Sequence, residues 1–113
     1  METKRTVQAL SALAQESRLA IFRLLVQAGP EGMPAGSIGG KLDLPAATLS
    51  FHLAGLTRAG LAQSRQEGRF VIYSADYQAM NSLVAFLTEN CCGGRSCKPG
   101  DQNEALPRTR RRA

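Results

Sequence analysis

A chain of 113 residues with 43% hydrophobic residues is one domain's worth, able to build a core yet small enough that oligomerisation often adds stability. Of its net charge of +5, the tail from Lys98 to Ala113 contributes +3, with five basic residues against two acidic ones, and the rest only +2. Composition therefore permits a nucleic-acid partner without requiring one. No apolar run reaches the length a bilayer requires, and Met1 to Leu10 carries no apolar stretch of the secretory kind, so the chain reads as a cytosolic protein with no membrane partner.

In chain order, Lys4–Ala14 is predicted as a first helix, with Val7, Leu10, Leu13 and Ala14 at helical spacing. A second runs from Glu16 to Ala28, its broad apolar face made by Leu19, Ile21, Phe22, Leu24 and Leu25 and its end marked by Gly29-Pro30. Propensity alone would not make Pro34–Leu42 helical, because Gly36, Gly39 and Gly40 weaken it. The tight turn Asp43-Leu44-Pro45 and the helix Pro45–Ala59 that follows supply the reason to read it so. Leu49, Leu53 and Leu56 share one face of that helix, which stops at Gly60. Two helices joined by such a turn have the outline of a helix-turn-helix. Leu61–Gln66 and Arg69–Ala75 then flank Glu67-Gly68 and read as a β-hairpin, with Phe70-Val71-Ile72-Tyr73 rich in strand-favouring side chains. Asp76 caps a last helix to about Asn90, striped by Met80, Leu83, Val84 and Leu87. The fold class is thus mainly α with a β-hairpin: a winged helix-turn-helix over residues 1–92, expected to be homodimeric, and a thiol-containing turn with a flexible basic tail over 93–113.

Opposite the leucine face of the helix Pro45–Ala59 lie Ala47, Phe51, Ala54 and Arg58, with Thr48 and Ser50 on the flanks. A small, largely uncharged face lets a helix lie close in the major groove. Thr48 and Ser50 are candidates for hydrogen bonds to base edges or phosphates, and Phe51 either packs on a thymine methyl or folds back on a neighbouring helix. His52 borders the apolar face as a satisfied semi-buried histidine, a phosphate contact or a metal ligand, though no second histidine exists to join it around zinc. Arg65 and Arg69 flank the wing turn and either reach phosphates, adding affinity without sequence choice, or stay solvated. One recognition helix reads only a few base pairs, so a dimer reading two half-sites is expected, paired through the first and last helices.

The run Leu13-Ala-Gln-Glu-Ser-Arg-Leu-Ala-Ile-Phe-Arg-Leu-Leu25 resembles the second-helix signature of the ArsR/SmtB family of metal-responsive repressors. Ala47-Thr-Leu-Ser-Phe-His-Leu-Ala-Gly-Leu-Thr-Arg-Ala-Gly-Leu61 resembles that family's recognition helix, and Gly68-Arg69-Phe70-Val71-Ile72-Tyr73 its wing. The resemblance spans roughly residues 6–90 and implies an operator-binding repressor, not an enzyme. Gln15 stands where the family usually has a capping aspartate, a weaker cap. The Cys-x-Cys pair that many arsenic repressors of the family carry before the recognition helix is missing from Ala35–Lys41. The cluster Cys91-Cys92-Gly93-Gly94-Arg95-Ser96-Cys97 instead resembles the branch whose arsenic site lies just beyond the last helix.

Cys91, Cys92 and Cys97 are the chain's three cysteines, and an odd count in a cytosolic chain argues against a disulfide framework. Soft ions select thiolates, and As(III) or Sb(III), each keeping a lone pair, is satisfied by three sulfurs in a pyramid. Gly93-Gly94 lets the chain turn back to bring Cys97 to the adjacent pair. Zinc prefers four ligands, commonly from CxxC pairs, which are absent. The alternatives are another soft ion, a redox sensor on the same scaffold, or a metal carrier without DNA binding. No histidine is near enough to serve as the general base of a thiol enzyme.

Overall fold

The computed structural model describes residues 1–94. Five helices and three strands follow one another as α1 (Thr3–Leu13), α2 (Glu16–Ala28), β1 (Met33–Pro34), α3 (Ala35–Leu42), α4 (Ala46–Arg58), β2 (Ala62–Glu67), β3 (Phe70–Ala75) and α5 (Tyr77–Leu87), before a short 3-10 turn at Cys91–Gly94. The expected flexible tail lies outside the described residues. The hairpin is part of a three-stranded antiparallel sheet in the order β1-β3-β2. Its loop is Gly68-Arg69 between the paired residues Glu67 and Phe70, with Gly68 at φ 59°. A glycine of positive φ in first place suits a tight right-twisted hairpin. Strand β1, Met33 opposite Tyr73 and Pro34 opposite Ile72, was invisible to pattern reading, because two residues carry no alternation.

Helix α3 forms despite its glycines because both its end and its buried side are fixed. Asp43, at φ 55°, closes it in the left-handed region, and the Leu44 N–H donates to the Gly39 carbonyl at 3.0 Å. Ile38 is fully buried in the core with Ile21, Leu25, Leu53, Leu56 and Leu61. Helix α4 ends the same way at Gly60, φ 79°: the Gly60 N–H donates to Thr57 and the Leu61 N–H to Leu56, both at 3.0 Å. This double closure places the apolar pair Leu56 and Leu61 together in the core as the chain turns into β2. Gln15 caps α2, its Oε1 accepting from the Arg18 N–H at 2.8 Å. Asp76 caps α5 through Ala79, 3.0 Å, and the Tyr77 hydroxyl donates to the Val26 carbonyl at 3.0 Å, using one of the carbonyls that α2 leaves unpaired at its end.

Two apolar stripes face outward. The buried side of α1 is Thr6, Ala9 and Ala12, while Val7 and Leu10 of its apolar stripe are exposed. Small residues let α1 lie close to α2 and α4. In α5 only Leu83 of the predicted stripe is buried, while Val84 and Leu87 remain 53% and 59% exposed, and the helix stops at Leu87 rather than near Asn90.

Candidate nucleic-acid interface and thiol cluster

The leucine face of α4 works as the sequence requires: Leu49, Leu53 and Leu56 are buried, which turns Ala47, Thr48, Ser50, Phe51, Ala54 and Arg58 outward. Phe51 is 62% exposed, an apolar ring that the fold leaves in water. Its ring meets the edge of His52, centroids 5.6 Å apart, and the Arg18 guanidinium of α2, 5.4 Å from the centroid. His52 is turned inward, only 8% exposed. Its Nδ1 accepts from Arg18 Nε at 3.2 Å, which leaves the ring proton on Nε2. Of the three roles weighed for this residue, the geometry is that of a satisfied semi-buried histidine.

The wing lies on the other side of α4. Between α3, α4 and β3 runs a largely apolar cleft of about 490 Å³ whose walls include Gly36, Gly40, Ser50, Val71 and Tyr73. Arg65 is held within the chain: its Nη2 donates to the Glu31 carbonyl at 2.6 Å and its Nε pairs with Glu67 at 2.6 Å. An exposed pair of this kind adds at most about 1 kcal/mol, but it ties β2 to the loop before β1 and so fixes the root of the wing. Arg69, in the hairpin loop, is exposed. Thr48, Ser50, Phe51 and Arg58 are thus exposed on α4 and Arg69 in the hairpin loop, while Arg65 is tied to Glu31 and Glu67 and His52 is turned inward. Sequence reasoning passed over Arg18 of α2. The signal was a glycine, Gly55, in the middle of a helix where alanine would serve better: a Cβ there would lie 2.6 Å from the Arg18 Cζ.

A helix-turn-helix domain model matches residues 13–65, from the end of α1 into β2. The transcriptional activator HlyU of Vibrio cholerae is 31% identical over 88 residues, covering 78% of this chain and 79% of that protein. Its solved structure superposes with a TM-score of 0.64 over 81% of this chain and 99% of that one. The chain belongs to the ArsR/SmtB family of winged-helix transcriptional regulators. Within this family it is a regulator of the ArsR/HlyU type with a DNA-binding domain, and not an enzyme. A putative arsenical resistance operon repressor, ArsR, of Halobacterium salinarum is 37% identical over 79 residues, 70% of this chain and 60% of that one. A homodimeric winged helix-turn-helix domain of a possible ArsR-family regulator from Mycobacterium bovis shares the fold, with a TM-score of 0.61 at 23% identity over 84% of this chain and 88% of that one. No helix among the described residues is long and apolar enough to cross a membrane.

The thiols follow α5 directly. Asn90, Cys92, Gly93 and Gly94 have φ of 59°, 58°, 67° and 89°, a left-handed reversal that two glycines make cheap and that Cys92 enters at a steric cost. Cys91 is a free, half-buried thiol. Cys92 follows it, exposed, at φ 58°. The third cysteine of the expected set, Cys97, lies outside the described residues.

Proposed function

We propose that this regulator is a repressor that binds operator DNA as a homodimer and releases it when As(III) or Sb(III) is held by the thiolates of Cys91, Cys92 and Cys97. The outward face of α4 carries the DNA half of the reading: a phenylalanine in water among alanine, serine and threonine has no folding role there, and it suits a thymine methyl in a groove just wide enough for one helix. The outward Val7, Leu10, Val84 and Leu87 of α1 and α5 support pairing with a second copy, as does the homodimeric relative. The effector half rests on thiolate chemistry, on the reversal after α5 that suits a compact sulfur cluster, and on the likeness to an arsenical resistance repressor.

The test is operator affinity of the reduced protein on its own promoter, by fluorescence anisotropy, with arsenite and then zinc added. Arsenite is expected to release the wild type and leave Cys97→Ser bound, while zinc does neither. If arsenite leaves both bound, the metalloid assignment fails and the DNA reading stands. A second reading, a redox sensor on the same scaffold, uses the same adjacent thiols, Cys91 half-buried and Cys92 exposed. It predicts release by oxidant alone, reversed by a reductant, without any ion.

A further inference from the structure

On the side of α4 away from the wing, α1, α2 and α4 enclose an open cleft of about 430 Å³, walled by Gln8, Ser11, Arg18, Gly55 and Arg58 among others, with no acidic residue in its lining. Two guanidinium groups thus share one cavity. Arg18 has no carboxylate partner among the described residues, and it is half-buried. Its position is nevertheless fixed. The Gln15 side chain holds its backbone N–H at 2.8 Å, His52 takes its Nε–H, the Phe51 ring lies beside it, and the whole group rests on the bare backbone of Gly55, where a Cβ would come within 2.8 Å of both terminal nitrogens. An arginine carries five N–H donors in a planar fork. With one spent on His52, the four on the terminal nitrogens remain, in a cleft whose other cation is Arg58. A cation held this firmly without an anion is set up to receive one.

We propose that Arg18 and Arg58 form a clamp for one backbone phosphodiester of the bound DNA, flanking the recognition helix on the side opposite the wing. Phosphate is the anion whose oxygens match a guanidinium fork, and Phe51, which touches Arg18, lies on the outward face of α4 that the DNA reading places in the groove. Gly55 is the seat that allows the clamp, and His52 is the positioning residue that orients it. This inference rests on the operator-binding reading. It goes further by assigning a second phosphate site and a role to Arg18, which lies outside the helix-turn-helix pair.

The test measures operator affinity against salt for wild type, Arg18→Gln, Arg18→Lys and Gly55→Ala, each first shown by circular dichroism to be folded. Each lost phosphate contact lowers the slope of log K against log salt by about 0.9, so Arg18→Gln in a dimer is expected to lower it by about 1.8. Arg18→Lys, which keeps the charge, should restore most of that slope, and Gly55→Ala should behave like Arg18→Gln. Duplexes carrying a single neutral methylphosphonate locate the contact: at one position in each half-site the substitution should weaken wild type about 5- to 10-fold and weaken Arg18→Gln, which keeps only Arg58 there, clearly less. An unchanged salt slope in Arg18→Gln, or methylphosphonates that weaken both proteins equally everywhere, would overturn the clamp and leave Arg18 a prop for α4. Wild type that ignores its own promoter would instead refute the operator reading itself, and the clamp with it.

Discussion

Alanine at Gly40 is expected to raise the stability of the fold by about 1 kcal/mol, the usual difference between glycine and alanine in an exposed helix interior. Gly40 lies in the second half of α3 with an ordinary helical φ, and a Cβ built there meets nothing within 4 Å. Gly36 is equally open but sits in the first turn, where propensity counts for less, so about 0.5 kcal/mol is expected. Gly39 differs. Its Cβ would lie 3.2 Å from the Leu44 carbonyl oxygen and 3.3 Å from a Leu49 methyl, both tighter than ordinary contact. The Leu44 backbone cannot withdraw, because its N–H is bonded to the Gly39 carbonyl at 3.0 Å, and Leu49 is buried in the core. Overpacking of this kind costs about 1–3 kcal/mol, which cancels or exceeds the propensity gain. Urea denaturation followed by circular dichroism, at one protein concentration because a dimer's stability depends on it, should place the three variants in the order Gly40→Ala, Gly36→Ala, wild type, Gly39→Ala. In a domain of this size each kcal/mol moves the melting temperature by about 4–8 °C. If Gly39→Ala proves as stabilising as Gly40→Ala, the close approach of α3 to α4 is not what its glycine serves.

Gly32→Ala is expected to destabilise by about 3 kcal/mol in the same assay, since φ is 74° and the new Cβ would stand 2.3 Å from the Tyr73 carbonyl oxygen, prising β1 from β3. Asp76→Ala removes the cap of α5 and should cost about 1 kcal/mol; a loss under a few tenths would mean that Tyr77 alone docks the helix. Phe51→Ala should leave the urea midpoint within about 0.5 kcal/mol of wild type, because the ring is solvent-exposed, while operator affinity falls about tenfold. Equal losses of stability and affinity would place Phe51 in the core. Val84→Glu with Leu87→Glu should convert the proposed dimer to a folded monomer in sedimentation analysis. A dimer that survives both charges would move the interface away from α5.

Whatever depended on period or on a single strong breaker was legible in the sequence. Leu49, Leu53 and Leu56 declared the buried face of α4, and with it the outward Thr48, Ser50, Phe51 and Arg58. Gly29-Pro30 and Gly60 ended their helices within a residue of the reading, because positive φ at those sites admits little else. Relations across the chain stayed hidden. Periodicity cannot say which side of an amphipathic helix meets its own core and which meets a partner, so nothing in the spacing marked Thr6, Ala9 and Ala12 as the side of α1 that the core takes. Spacing along one strand also cannot show that Arg65 is tied to Glu31, 34 positions away, or that Arg18 rests on Gly55. Side-chain chemistry was legible; the partner of each side chain was not.

Helix α5 joins the two halves of the proposed switch. Its first turn is fixed to the body by the Asp76 cap and by the Tyr77 hydroxyl on the end of α2. Its last turns carry the exposed Val84 and Leu87, and the thiols begin four residues after its end at Leu87. A helix pinned at one end and loosely packed at the other yields at the loose end, where an ion drawn onto the cysteines would pull. If Val84 and Leu87 pair the two copies, that pull changes the angle between subunits and the separation of the two recognition helices, which must fit half-sites about 34–36 Å apart. A coupling of about 1–3 kcal/mol, typical of allosteric regulators, amounts to a 5- to 150-fold change in operator affinity. The altered subunit geometry alone can supply it, so none of the DNA-facing side chains of α4 needs to move for the operator to be released.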